Sequence, residues 1–186
     1  MNPNPARSMP AGALQETSSG HHAVAVIGIG SAFDDDQAGW LVIDRLAQLG
    51  MHECDLRKAS VPHDIIDWLS PSTVVHLVDA CQDPQPTVRR FQIAIATATG
   101  SLEAIAEPQD SLPSNWPFTQ VRSNSTHQFS LLDTLGLAAA LGQLPLNLVL
   151  WTIAIQDSPR TDMLHPATAA RIDLCVSRIF KELRHA

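Results

Sequence analysis

The chain has 186 residues, of which 45% are hydrophobic, and a formal net charge of −7. This length and composition are ordinary for a soluble globular protein built as one domain with a substantial core. No Lys/Arg run is longer than Arg89-Arg90, so the chain lacks the basic footprint of a nucleic-acid-binding protein. No stretch reaches the roughly 18 apolar residues of a membrane-spanning helix. The sequence therefore predicts a cytoplasmic protein with no nucleic-acid partner and no membrane insertion.

The N-terminal segment differs in composition from the rest of the chain. Residues 1–20 are rich in Pro, Ser, Asn and Gly and lack the apolar core of a secretory signal, which predicts a flexible tail. Residues 21–186 are expected to form a single domain. The three cysteines, Cys54, Cys81 and Cys175, have no C-x-x-C spacing, so reduced thiols are expected rather than disulfides or a thiolate zinc site.

Strand-like and helix-like segments alternate along the domain. Residues 22–29 form a continuous apolar, β-branched run, which predicts a strand buried on both faces. Helical spacing from Asp35 to a terminating Gly50 predicts the first helix. Further strands are expected near residues 51–56, 73–78, 91–98 and 146–155, further helices from Pro62, over 129–142 and from Pro166, and a long surface excursion over 100–120. The alternation predicts an α/β fold: a single-domain three-layer sandwich with a twisted, mostly parallel sheet of about five strands flanked by helices.

Three adjacent aspartates follow the first predicted strand. The strand ends in Gly28-Ile29-Gly30, and Asp34, Asp35 and Asp36 come next. A dinucleotide site would need a third glycine where Phe33 stands, and no Gly-Lys-Ser/Thr of a P-loop is present. One aspartate is enough to cap a helix, and neighbouring carboxylates repel one another. The excess of carboxylates indicates a cation or a donor-rich partner.

Two further polar residues are expected at the same edge of the sheet. Asp79 follows the strand 73–78, and His127 precedes the helix 129–142. Each has a purely structural interpretation, as a turn cap or as a histidine beside a helix N-terminus. Ligand sites in such folds lie beyond the carboxyl ends of the strands, so Asp35 or Asp36, Asp79 and His127 are expected to meet there. Two carboxylates and an imidazole suit a borderline divalent metal with coordination positions left open.

A phosphorylatable receiver domain also places an acidic pair after its first strand and an aspartate at the end of its third. Such domains need a lysine after a late strand to hold the phosphoryl oxygens, and the stretch WTIAIQDSP at 151–159 contains none. A receiver-like phospho-acceptor module is therefore the less favoured alternative.

The ordered set of motifs resembles the hydrogenase maturation endopeptidases, proteases that remove a C-terminal peptide from the large subunit of nickel-iron hydrogenases. The family's Gly-Ile/Val-Gly-Asn turn, acidic pair and Gly-x-Gly correspond to residues 28–31 and 35–39 here. Its strand ending in aspartate before alanine corresponds to HLVDA at 76–80. Its histidine segment before a leucine-rich helix corresponds to STHQFSLLDTLGLAAALGQLP at 125–145. The resemblance extends over about residues 22–184.

This resemblance implies a nickel-dependent, aspartic-type or metal-assisted endopeptidase in which Asp36, Asp79 and His127 are the catalytic and metal-contacting residues. The nickel would arrive within the metal centre of the substrate, a nickel-loaded hydrogenase large-subunit precursor. The family's Asp-Gly-Gly-Thr-type turn after strand two, associated with substrate recognition, is absent, and residues 55–60 stand in its place. A non-proteolytic maturation chaperone for the same precursor is the alternative that this departure favours.

Overall fold

The computed structural model describes residues 24–83, 85–95, 102–106, 130–155 and 163–185. Two short 3-10 helices, Asp34–Gln37 and Pro62–Trp68, accompany the strands and α-helices of this part of the chain. The strands are β1 (Val24–Ile29), β2 (Asp55–Ala59), β3 (Val74–Gln82), β4 (Val88–Ile95), β5 (Leu102–Ala106) and β6 (Asn147–Ile155). The α-helices are α1 (Ala38–Gln48), α2 (Leu131–Ala140) and α3 (Pro166–Arg184). None of the helices within these ranges is both long and apolar enough to cross a membrane.

The strands form one sheet in the order β2-β1-β3-β6-β4-β5. β1 pairs in parallel with β2 and β3, and β3 pairs in parallel with β6. β4 runs antiparallel to both β6 and β5. The predicted mostly parallel α/β sheet is confirmed, with six strands rather than about five. The additional strand is β5, which lies inside the segment predicted as a surface excursion.

Helices cover both faces of the sheet, as the sequence predicts. Side chains alternate between the faces along each strand, so neighbouring residues enter different cores. Val26, Val78 and Trp151 pack in the core beneath α1 and α3. Leu77 and Leu150 pack in the opposite core, beneath α2 and the second 3-10 helix. Because both faces are covered, the central strands are apolar throughout their length, which is the pattern that identifies them in the sequence.

Glycines let α1 lie directly against β1. A Cβ atom on Gly28 would come 2.2 Å from the carbonyl oxygen of Gly39, and one on Gly39 would come 2.2 Å from the carbonyl oxygen of Ile29. A Cβ atom on Gly30 would come 2.0 Å from the carbonyl oxygen of Asp36. The three glycines therefore fix the height of the acidic turn above the carboxyl end of β1.

Three boundaries differ from the sequence expectations in ways that matter for the site. β2 spans Asp55–Ala59 rather than residues 51–56, so the stretch that stands in place of the family's recognition turn is a strand. The helix expected from Pro62 is a 3-10 helix. β3 continues to Gln82 because β6 pairs with it along its whole length, whereas its pairing with β1 ends at Val78. Asp79 therefore lies within β3, one residue beyond the last pair with β1.

The glycine contact predicts a large difference between two Gly→Ala substitutions. Gly28→Ala is expected to lower the free energy of unfolding by about 2–4 kcal/mol, because backbone atoms of α1 must move to admit the methyl group. Gly136→Ala in α2 is the matched control, since a Cβ atom there meets no atom within 4 Å. The control is expected to raise the free energy of unfolding by about 0.5–1 kcal/mol. Urea denaturation of both variants checks this, and equal effects would contradict the close approach.

Candidate functional site

Asp36 and Asp79 lie close together at the carboxyl edge of the sheet. Asp36 is exposed in the 3-10 turn after β1, and Asp79 is only 7% exposed on β3. The two are near enough for the negative charge of Asp36 to raise the pKa of Asp79. Two of the three sequence-predicted site residues are thus neighbours, although they are 43 positions apart in the chain.

Asp79 is a buried carboxyl group with a raised pKa. Burial is the main cause that raises its pKa to about 7, the charge of Asp36 adds to the rise, and a hydrogen bond from the Ala80 backbone N–H opposes it. Within the residues that the structure describes, no ion pair to Asp79 is found. A carboxyl group in this state holds a proton near neutral pH and gains from a nearby cation.

The three adjacent aspartates have different roles. Asp35 is buried, and its carboxylate accepts hydrogen bonds from the backbone N–H of His165 (2.9 Å) and the hydroxyl of Thr168 (2.7 Å). Asp34 has a φ of 50° and turns the backbone at the start of the 3-10 helix. Asp36 alone combines exposure with proximity to Asp79. Of the two aspartates that the sequence leaves open, Asp36 therefore faces the candidate site and Asp35 contacts α3.

The third predicted residue, His127, lies outside the described residues. The described chain resumes at Ser130, whose side chain and that of Asp133 form a reciprocal cap at the start of α2. Leu131 in the first turn of α2 shares a core cluster with Cys81, two residues beyond Asp79 on β3. Among the described residues, no group of three His, Cys, Asp or Glu side chains is arranged to hold a metal ion.

The sequence analysis did not predict the buried ion pair between Arg89 and Asp83. Arg89 Nε lies 2.7 Å from Asp83 Oδ2, and both side chains are no more than 3% exposed. Arg89 also donates to Gln85 Oε1 at 2.8 Å. Thr152 pairs with Asp79 on one side and with Arg89 on the other, so Arg89 lies two strands from Asp79, whereas Asp83 directly follows β3. The signal was the position of Arg89 two residues before Phe91 in an apolar strand, which turns both side chains to the same buried face.

Cys81 is close to this cluster and is chemically inert there. Its side chain is hydrogen-bonded to Thr152, and burial is the main cause that raises its pKa to about 12. The sequence expectation of a reduced cysteine agrees with three free cysteines, of which Cys81 and Cys175 are buried. A thiol with so high a pKa supplies neither a nucleophile nor a thiolate ligand near neutral pH.

A turn and a groove follow β2, where the related proteases have their recognition turn. The turn at Ser60 and Val61 leads into the second 3-10 helix, where the Asp64 carboxylate accepts from both backbone N–H groups. Beside it is an open groove of about 630 Å³, lined by Lys58, His63, Asp64, Ile66, Asp67, Trp68 and Leu137. Charges of both signs and an aromatic ring therefore lie close to the stretch that stands in place of the family's glycine-rich turn.

The raised pKa of Asp79 predicts a pH-dependent stability difference. Because its pKa is about 7 in the fold and near 3.8 in an unfolded chain, the folded state binds the extra proton, and stability falls as pH rises through this interval. Asp79→Asn is expected to be more stable than the parent by about 1–3 kcal/mol at about pH 8, with the difference disappearing near pH 4.

Urea denaturation across this pH range checks the Asp79 prediction. Asp36→Asn is the control, because it removes the neighbouring charge while keeping the buried carboxyl, and it is expected to give a smaller gain at high pH. A stability difference between Asp79→Asn and the parent that stays constant with pH would contradict the assignment.

Comparison with known proteins gives structural matches alone. No protein-family profile matches the chain, and no curated protein sequence does. An endopeptidase from Escherichia coli, solved in solution, is similar with a TM-score of 0.62 and 16% identity, over 88% of this chain and 93% of that one. The hydrogenase maturating endopeptidase HybD from E. coli is similar with a TM-score of 0.57 and 16% identity, over 88% and 93%.

An archaeal protein extends the comparison. The [NiFe] hydrogenase maturation protease HycI from Thermococcus kodakarensis KOD1 is similar with a TM-score of 0.55 and 18% identity, over 89% of this chain and 95% of that one. These structures match along almost their whole length. The fold that the sequence resemblance implies is confirmed: the chain has the fold of the hydrogenase maturation endopeptidases.

Proposed function

We propose that the protein is a cytoplasmic endopeptidase that removes the C-terminal extension of a nickel-loaded nickel-iron hydrogenase large-subunit precursor. The observation that carries the proposal is the meeting of Asp36 and the buried Asp79 at the carboxyl edge of a sheet with this fold. Similar structures named as hydrogenase maturation proteases support the same reaction class. The proposed site residues are Asp36, Asp79 and His127, which act as both catalytic and metal-contacting groups.

The donor chemistry of the described residues fits a divalent ion. Two carboxylates that repel one another, one of them buried with a pKa of about 7, are stabilised together by a cation placed between them. Binding would release the proton of Asp79, since a metal ligand must be deprotonated. In the sequence, His127 stands three residues before Ser130, the N-cap residue of α2. An imidazole nitrogen there would complete a set suited to nickel.

This chain's residues would make the reaction depend on the loading of the precursor. Without an incoming cation, burial and the charge of Asp36 favour the protonated, neutral form of Asp79, so an unloaded precursor gains nothing from the site. With nickel in the substrate, the two carboxylates bind and orient the loaded segment. Nickel itself supplies Lewis-acid chemistry, by polarising the scissile carbonyl or lowering the pKa of a water molecule.

A non-proteolytic maturation chaperone is the second candidate. The observation that favours it is the strand at Asp55–Ala59, in place of the family's Asp-Gly-Gly-Thr-type turn, with the mixed-charge groove beside it. A chaperone would bind the same nickel-loaded precursor without changing its length.

A receiver-like phospho-acceptor is disfavoured by the fold as well as by the sequence. β4 is antiparallel to β6, whereas receiver sheets are parallel. The chain has two lysines: Lys58 on β2 contacts Asp44, and Lys181 lies in the last turn of α3. Neither lies in the segment directly after β6, residues 156–165, where a phosphoryl-binding lysine would be required.

The proposed protease activity predicts cleavage of a purified, nickel-loaded large-subunit precursor by the full-length chain. Asp36→Ala, Asp79→Ala and His127→Ala are each expected to lower the cleavage rate by at least about a hundredfold, because each removes one of three ligands that act as a unit. Mass spectrometry of the precursor measures the shortened product. Nickel-free precursor is expected to remain intact.

The neighbouring aspartate provides the matched control for the cleavage experiment. Asp34→Gly removes an equal charge two residues before Asp36 and suits the left-handed backbone, so cleavage is expected to persist. Full cleavage by the triple variant would refute the assignment. Stable binding of the precursor by the parent chain, with no shortened product, would replace the protease by the chaperone.

A further inference from the structure

The Asp35 carboxylate joins the acidic turn to a distant helix. Its Oδ1 accepts from the backbone N–H of His165 at 2.9 Å, and its Oδ2 accepts from Thr168 Oγ1 at 2.7 Å. Asp35 is 8% exposed and Thr168 is fully buried. Both carboxylate oxygens are therefore used in contacts with the start of α3, away from the candidate site.

α3 is the rigid partner in this contact. It is 19 residues long, and Ile172, Cys175 and Ile179 are fully buried against the sheet. The first N–H groups of a helix have no acceptor within the helix, and its N-terminus favours a negative charge. His165 Nδ1 accepts from the backbone N–H of Ala167, and Asp35 accepts from the backbone N–H of His165, the N-cap residue of α3. The packed helix thus holds the turn in place.

The same contact decides where Asp36 points. Successive side chains of a 3-10 helix are about 120° apart, so holding Asp35 against α3 directs Asp36 elsewhere. The backbone carbonyl of Asp36 accepts from Ser31 N–H at 3.3 Å, which restrains the turn from the other side. Within the described residues, no hydrogen bond or ion pair holds the Asp36 carboxylate itself. Gly39, three residues after Asp36, lies against β3 next to Asp79, because a Cβ atom on Gly39 would come 2.9 Å from the carbonyl oxygen of Val78. Asp36 therefore depends on the backbone of the turn to stay beside Asp79.

We propose that Asp35 and Thr168 are positioning residues, whose hydrogen bond holds the acidic turn so that Asp36 faces Asp79. The role rests on the proposed function, because it assigns the pair a task at that site. α3 thereby becomes part of the site's framework, although none of its side chains is a proposed ligand. Thr168 is the residue that distinguishes this role from ordinary helix capping, because its hydroxyl binds the carboxylate oxygen that His165 does not.

The test uses the metal-free full chain. It detects a change in the position of Asp36 by the effect of the Asp36 charge on the pKa of Asp79. Carbon-13 NMR follows the titration of the Asp79 carboxyl group in the parent protein, Thr168→Val, Thr168→Ser and Asp36→Asn. Asp36→Asn defines the full effect of losing the neighbouring charge. Thr168→Val is expected to lower the pKa of Asp79 from about 7 by at least half of that effect, because Asp36 moves away. Thr168→Ser keeps the hydroxyl and is expected to match the parent.

Three results would overturn the proposal. One is a folded Thr168→Val variant in which the Asp79 titration is unchanged while overall stability falls, as expected for a merely structural threonine. Another is a Thr168→Ser variant that behaves like Thr168→Val. The third is an Asp36→Asn variant without any effect on Asp79. Where Thr168→Val fails to fold by circular dichroism, Asp35→Asn replaces it with the same expected direction.

The titration is independent of the cleavage assay. It uses neither metal nor precursor, so its result stands whether or not the parent chain cleaves a large subunit. A parent chain that neither cleaves nor binds precursor would refute the proposed function while leaving the link between Thr168 and Asp36 measured.

Discussion

The candidate site depends on how closely the backbone of α1 and its preceding turn lie on β1. Gly28 and Gly39 face each other without room for a single methyl group, and Gly30 lies under the carbonyl of Asp36. This approach brings a charged turn onto the end of an apolar strand, where side chains of ordinary size would hold it several ångströms away. Asp79 then needs only to lie on the next strand, one residue beyond the last β1 pair. Asp36 and Asp79 interact electrostatically because the backbone of the acidic turn contacts β1, and not because other side chains hold the two carboxyl groups together.

The sheet separates two kinds of buried polar group. Asp79 and the ion pair of Asp83 with Arg89 enter the core on the α2 side. On the α3 side, His76 Nδ1 accepts a hydrogen bond from Trp151 Nε1, and burial is the main cause that lowers the pKa of His76 to about 4. The Arg89 pair and neutral His76 are satisfied by partners, whereas the described structure gives Asp79 only a backbone N–H. This contrast supports the role that we propose for Asp79, because fully partnered groups are stable without a ligand.

Much of the fold could be read from the sequence because the central strands are buried on both faces. β1, β3 and β6 are continuous apolar runs, and Gly50, Gly142, Pro62 and Pro166 mark helix ends by backbone requirements that few other residues meet. β5 was missed because its five residues pair only at the edge, beside a proline-rich stretch that dominated the interpretation. The choice between Asp35 and Asp36 also depended on tertiary structure, since the partner of Asp35 lies 133 residues away. The residues next to Asp35 in the sequence contain no information about such a distant contact.

Asp34, the one described non-glycine residue with positive φ, has a wider consequence. A left-handed residue reverses the chain abruptly, so a connection with fewer residues reaches the same endpoint as a longer one. Carboxylates in two proteins of the same fold can therefore occupy one place in space although their spacing along the chain differs. Comparison by linear position loses its register at that difference, whereas superposition retains it.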